Sequence, residues 1–191
     1  AANSLIDENG NTAVSEVSAE LTVIDPSSDP DLMSGNFETV NSVTGEVENI
    51  ESFGAVNVTF KDVSGNRDNL ADGQTATVRI PLAAGAYNPP QTLPLYYFDE
   101  TSGYWVEEGT ATLTTINGES YYEGTVSHFS TWSANYIYSS VQITGCIQDA
   151  ESNPVTLAEI QTQGRNYSGQ AVAFTDIAGN FSISAKPNSS V

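Results

Sequence analysis

The feature that most limits how this chain can fold is the spacing of its apolar residues. No stretch of 11 or more residues places them at i, i+3, i+4 and i+7, the spacing of a buried helix face. The short periodic segments alternate instead and are rich in Val, Ile, Thr and Tyr, as half-buried strands are. Residues 17–24 run V-S-A-E-L-T-V-I and residues 55–60 run A-V-N-V-T-F. Residues 75–82 run T-A-T-V-R-I-P-L, with Val78, Ile80 and Leu82 on one face.

From Leu93 the strand signals become closely spaced. Residues 95–98 and 104–106 flank Asp99-Glu100-Thr101-Ser102-Gly103, a hairpin connection. Residues 110–116 and 120–126 flank Asn117-Gly118-Glu119, and Asn-Gly readily adopts the positive φ angles of a tight hairpin turn. Residues 129–138 read as a further strand. A second register begins near Val141, and Ser139-Ser140 is the best linker candidate. The expected fold class is therefore all-β, two antiparallel β-sandwich modules in tandem, residues 1–139 and 140–191.

An element of the form apolar-x-Asp-x-x-Gly recurs at Asp62, Asp99 and Asp176, with Asp99 one place early. Turn chemistry explains it, since Asp caps a turn through its side chain and Gly supplies a positive φ.

Charge then narrows the function. The chain has 24 acidic and 5 basic side chains in 191 residues, a formal net charge of −19. A nucleic-acid binder needs a Lys/Arg stripe that displaces phosphate counterions, and this chain has none. Docking on an anionic membrane is equally disfavoured. No run of 18 or more apolar residues occurs, so no membrane span is expected in this segment. Ala1 is not followed by a basic and then an apolar region, so the segment is expected to be mature protein or a piece of a longer one. One Cys and one His give neither an internal disulfide nor a zinc site of the usual kind. No cofactor is called for.

The tripeptide His128-Phe129-Ser130 carries the sharpest chemistry. It holds the sole His, two residues before a hydroxyl nucleophile. In an extended chain His128 and Ser130 would share a face and Phe129 would point into a core. Imidazole is the side chain suited to accepting a proton near neutral pH. Ser130 Oγ would then attack the Phe129 carbonyl, an N→O acyl shift giving an ester that water hydrolyses. Such a step needs a strained peptide, on the order of 1–3 kcal/mol, and donors for the oxyanion. The structural alternative is a strand with His128 hydrogen-bonded and Phe129 and Trp132 buried.

His-Phe-Ser resembles the self-cleavage site of ZU-type autoproteolytic domains of the netrin-receptor and ankyrin kind. The autoproteolytic domain of a nuclear-pore protein also cuts within His-Phe-Ser, and GAIN domains of adhesion receptors use His-Leu-Thr or His-Leu-Ser. Residues 54–58 and 95–105 look similar to bacterial secreted relatives of ZU domains, and the resemblance covers about residues 45–138. It implies His128 as base, Ser130 as nucleophile and Phe129 as acyl donor, and transfers no other catalytic position.

The C-terminal segment resembles a carboxypeptidase regulatory-like, transthyretin-like β-sandwich. The matching residues are Ile143-Thr144-Gly145, Asp149, Asn153-Pro154-Val155, Ala158, Ile160, Thr175-Asp176, Gly179 and Phe181-Ser182-Ile183. The resemblance implies a spacer or stabilising module. About 50 residues are fewer than such modules usually use, so a truncated module is expected. Cys146 is expected to be a buried, inert strand residue.

Other candidates are weaker. Asp25, Asp29 and Asp31 offer oxygen ligands for Ca²⁺, but the loop lacks the Gly and distal Glu of an EF-hand, and its two prolines favour the reading as a stiff exposed loop. Tyr96, Tyr97, Tyr104, Trp105, Tyr121 and Tyr122 would make a glycan-stacking platform, although alternation sends half of them inward. The expected function is a structural or interaction segment of an extracellular or cell-surface protein with self-cleavage between Phe129 and Ser130. The alternative is an uncleaved adhesin or carbohydrate-binding stalk module. The expected partners are other domains of a larger surface protein and a glycan or protein ligand. At most a single-turnover self-cleavage is expected, not a turnover enzyme.

Overall fold

The computed structural model describes residues 4–13 and 16–191. The described part is all-β, with no α-helix and one short 3-10 turn at Pro30–Leu32. The strands of the first part are β1 (Leu5–Ile6), β2 (Ser18–Ile24), β3 (Glu38–Val40), β4 (Val47–Lys61), β5 (Arg67–Leu70), β6 (Ala76–Pro81), β7 (Thr92–Asp99), β8 (Tyr104–Ile116), β9 (Glu119–Val126) and β10 (Thr131–Tyr138). The remainder forms β11 (Val141–Cys146), β12 (Glu159–Gln163), β13 (Gln170–Phe174) and β14 (Asn180–Ala185).

The first ten strands form one sheet in the order β1-β5-β4-β10-β7-β8-β9-β6, with β2 and β3 added along β4. Neighbours along that path are antiparallel, as the meander predicts. The long central β4 has both faces covered. Because side chains alternate, Val56 enters one core with Ile80, Leu95, Tyr122 and Trp132, while its neighbour Ala55 enters another with Phe37, Ile50, Tyr96 and Trp105. Leu95 and Tyr96 divide in the same way on β7. Full burial of a side chain such as Ile80 or Leu95 contributes roughly 1.5–3 kcal/mol, so these cores hold the sheet.

The sheet curls back on itself in a sandwich-like arrangement. Just beyond β6 the Ala83 N–H donates to the Phe53 carbonyl on β4 at 2.9 Å. Gly54 lies at the closest approach, where a Cβ would stand 2.2 Å from the Pro81 carbonyl oxygen.

The Asp-containing turns follow one rule. Asp7, Asp62, Asp149 and Asp176 each accept, through Oδ1, the backbone N–H groups two and four residues on, at 2.8–3.0 Å. An Asn four residues on returns its side-chain N–H to Oδ2 in every case. The underlying signal is Asp-x-x-x-Asn, broader than the Gly-based element read from the sequence. Asp99 departs from it by having Gly103 in the Asn place.

Beyond Tyr138, β11 pairs with β14 and β12 pairs with β13. Their shared interior is small and includes Thr162, Tyr167, Thr175, Ile183 and Ala185. Cys146 is exposed, contrary to the sequence expectation. The reason is local: every residue of β11 is exposed, so there is no buried face for the thiol to enter. This part touches the first sheet directly. The Ser52 N–H donates to the Ser168 carbonyl at 2.9 Å, and the Tyr138 and Tyr167 rings meet edge to face at 5.7 Å.

Candidate functional site

His128, Phe129 and Ser130 do not lie in a strand. β9 ends at Val126, β10 begins at Thr131, and residues 127–130 form the bend between them. The extended geometry expected from the sequence is therefore absent, and with it the same-face pairing of His128 and Ser130. Strand register explains this. Thr131 opposite Asn57 opens the pairing of β10 with β4, and Val126 opposite Ala76 closes that of β9 with β6. The four residues between must turn from one neighbour to the other.

Glu108 on β8 organises the start of the bend. Its Oε1 accepts the Ser127 hydroxyl at 2.6 Å, and its Oε2 lies 3.6 Å from His128 Nε2. The imidazole stands edge-on to Tyr97 at 4.6 Å and lies 4.9 Å from the Trp132 ring. The His128 carbonyl accepts Trp132 Nε1–H at 3.1 Å. At 3.6 Å the carboxylate makes no hydrogen bond to the ring, so the contacts with Tyr97 and Trp132 are what hold the imidazole.

Phe129 is half-buried, stacked on Phe60 at 4.4 Å, and so stands outside the core expected for it. Asn69 on β5 grips its backbone. Asn69 Oδ1 accepts the Phe129 N–H at 2.6 Å, and Asn69 Nδ2 donates to the Phe129 carbonyl at 3.2 Å. That carbonyl is the one Ser130 would attack. Asn69 is 60 residues away in sequence, and no motif marked it.

The Ser130 hydroxyl donates to the Phe98 carbonyl at 3.4 Å, and the Ser130 carbonyl accepts the Val58 N–H at 3.1 Å. No hydrogen bond joins His128 to Ser130. None of residues 127–130 has a positive φ. The three residues are thus adjacent in one bend, with the nucleophile turned toward a neighbouring strand.

The bend forms one wall of a cleft of about 470 Å³, lined also by Phe60, Asp68, Asn69, Tyr97 and Asp99. Asp68 is 4% exposed, and its Oδ2 is buried with no hydrogen-bond partner. Burial first, and then Asp62 and Asp7, raise its carboxyl above the usual Asp range.

The other candidates take different places. Asp25 Oδ1 accepts both the Ser27 N–H and hydroxyl, and its Oδ2 accepts the Ala84 N–H at 2.9 Å. Burial pushes this carboxyl up, but the Ser27 and Ala84 bonds outweigh it and hold it below the usual range. The carboxylate thus clasps loop to loop. Among the described residues no group of three His, Cys, Asp or Glu side chains is arranged to hold a metal ion. Of the six aromatics expected to form a platform, Tyr96, Trp105 and Tyr122 are buried. Trp105 Nε1 donates to the Asn36 carbonyl and the Tyr122 hydroxyl to the Pro90 carbonyl, so their polar tips are spent inside. No helix among the described residues is long and apolar enough to cross a membrane.

No family model, curated protein or solved structure matches this chain.

Proposed function

We propose that this chain is a structural and interaction segment of an extracellular or cell-surface protein, and that its 127–130 bend is a self-cleavage site acting once, between Phe129 and Ser130. The observation that carries the reading is the donor from Asn69 to the Phe129 carbonyl. A hydrogen bond at that oxygen stabilises the negative charge that develops when a nucleophile adds to the carbonyl.

The chemistry balances without a cofactor. Rotation about the Ser130 side chain releases its hydroxyl from Phe98 and turns it toward the Phe129 carbonyl carbon. His128 accepts the hydroxyl proton as the O–C bond forms, with Glu108 beside the resulting imidazolium. The tetrahedral intermediate collapses with loss of the C–N bond, and His128 returns the proton to the leaving Ser130 nitrogen. Water then hydrolyses the ester, leaving a Phe129 carboxylate, a free Ser130 hydroxyl and a Ser130 amine. β10 stays paired with β4 and β7, so the two pieces remain associated.

A second reading rests on the other half of the Asn69 contact. By accepting the Phe129 N–H as well, Asn69 acts as a clamp that anchors an uncleaved corner of a stalk module. Intact mass of the denatured chain separates the two. Fragments of about 129 and 62 residues, abolished by Ser130→Ala, support cleavage; a single full-length species after prolonged incubation at neutral pH supports the anchored corner.

A further inference from the structure

The cleft beside the bend has a chemistry that self-cleavage does not use. A buried carboxylate with an unpaired oxygen normally costs stability, because desolvation is uncompensated. Asp68 Oδ2 is such an atom, and Asp68 lines the cleft. Arg67 is next in sequence but forms no ion pair with it. Around the cleft stand further carboxylates, Asp7, Glu8, Asp99 and Glu100. Asp7 is held below the usual carboxylate range chiefly by the Asn11 side chain, and Asp99 chiefly by the Thr101 N–H. Both therefore carry charge at neutral pH. The wall opposite in character is aromatic, built from the stacked Phe60 and Phe129 rings and from Tyr97.

Negative oxygens beside aromatic faces favour an organic cation, which gains a charge-assisted hydrogen bond and a cation–π contact together. A single unpaired oxygen suits the compact charge of an ammonium better than the forked guanidinium, which gains most from a bidentate partner. The apolar rings suit a hydrocarbon stem. The volume lies within the range of small-ligand sites, roughly 300–1,000 Å³. Among the described residues the two lysines are engaged elsewhere, Lys61 with Glu20 and Lys186 with Glu51, and Arg67, which also lines the cleft, forms no ion pair there, so no described ammonium meets Asp68.

We propose that this cleft binds a lysine side chain of a partner protein, with Asp68 Oδ2 accepting the ammonium and the Phe60–Phe129 stack covering the stem. The site goes beyond the self-cleavage reading and uses none of its steps.

The test is an NMR titration of the full chain with acetyl-Ala-Lys-Ala-amide and, in parallel, its norleucine counterpart, which keeps the stem and removes the charge. The lysine peptide is expected to shift the Asn69 and Phe129 amide signals saturably, and at least fivefold more tightly than norleucine. Asp68→Asn is expected to remove that preference, and raising the salt concentration is expected to weaken lysine binding alone. Equal affinity for the two peptides, no saturable shift with either, or a lysine preference that survives in folded Asp68→Asn overturns the proposal. If Asp68→Asn does not fold, the lysine-to-norleucine ratio and its salt dependence in the unmodified chain decide the matter.

Discussion

Lys186 Nζ lies 2.5 Å from Glu51 Oε2, joining the last residues of the chain to the middle of β4. The ammonium also sits 5.8 Å from the Tyr138 ring centroid and 5.5 Å from that of Tyr167, so one cation ties the C-terminal part to the first sheet by charge and ring together.

Breaking this pair leaves a carboxylate on a residue only 4% exposed without its cation. Lys186→Met is expected to cost about 2 kcal/mol, below the usual cost of a fully buried pair because the lysine is partly solvated. Glu51→Gln with Lys186→Met together should cost less than the two single changes summed. Urea midpoints for the three variants measure the coupling, and strict additivity would show that the pair contributes nothing of its own.

Asn69 offers two separable contacts to Phe129, one as acceptor and one as donor. Asn69→Ala removes both, and Asn69→Asp keeps the acceptor for the Phe129 N–H while losing the donor to its carbonyl. If the donor stabilises an oxyanion, both variants should slow cleavage by about 10²–10³-fold. Stability should separate them, with Ala losing about 1 kcal/mol more than Asp from the unpaired N–H. Time courses of intact mass give the rates, and equal rates in wild type and both variants would remove Asn69 from the chemistry.

Gly54 has φ +144°, and a Cβ there would stand 2.2 Å from a backbone oxygen, which cannot move as a flexible side chain does. Gly54→Ala is therefore expected to cost about 3 kcal/mol or more. Gly45 supplies the control. It also has a positive φ, +73°, but a Cβ there would meet nothing within 4 Å, so Gly45→Ala should cost about 1 kcal/mol. Denaturant midpoints compare them, and similar losses would show that the approach of β6 to β4 is not tight.

Strand content was legible because alternation and Asn-Gly chemistry are local. Asn117 and Gly118 both adopt the positive φ that the pair promised, and Ile116 faces Glu119 across the turn. The bend at 127–130 was read as strand: Phe129 lies three residues before Trp132, off the face that Trp132 and Ala134 share, but the polar pair Ser130-Thr131 between them leaves the break in alternation unmarked. Only the pairing of Thr131 with Asn57 sets where the strand begins. Asn69 was invisible for a related reason: a two-sided clamp on a peptide unit across 60 residues leaves no spacing to recognise. Cys146 was misplaced because alternation identifies a strand but not whether another layer covers it.

The aspartates respond to pH in two opposite senses. Asp176 is held below its ordinary value of 3.8, first by the Asn180 N–H. Its contribution is complete above the unfolded pKa and is lost as pH falls through the lower folded value. Asp176→Ala should therefore weaken the fold at neutral pH and make little difference in strong acid. Asp68 runs the other way. Burial raises its folded pKa, so the fold loses stability as pH rises from 3.8 through that higher value, and the penalty persists above it. Asp68→Asn should accordingly raise the melting temperature at neutral pH, with the gain vanishing below about pH 4. Melting temperatures of both variants across the acid range check the signs. A neutral-pH loss on Asp68→Asn would mean that its carboxylate has a stabilising partner in solution, whereas a gain marks a buried residue of the cleft lining whose charge costs the fold stability.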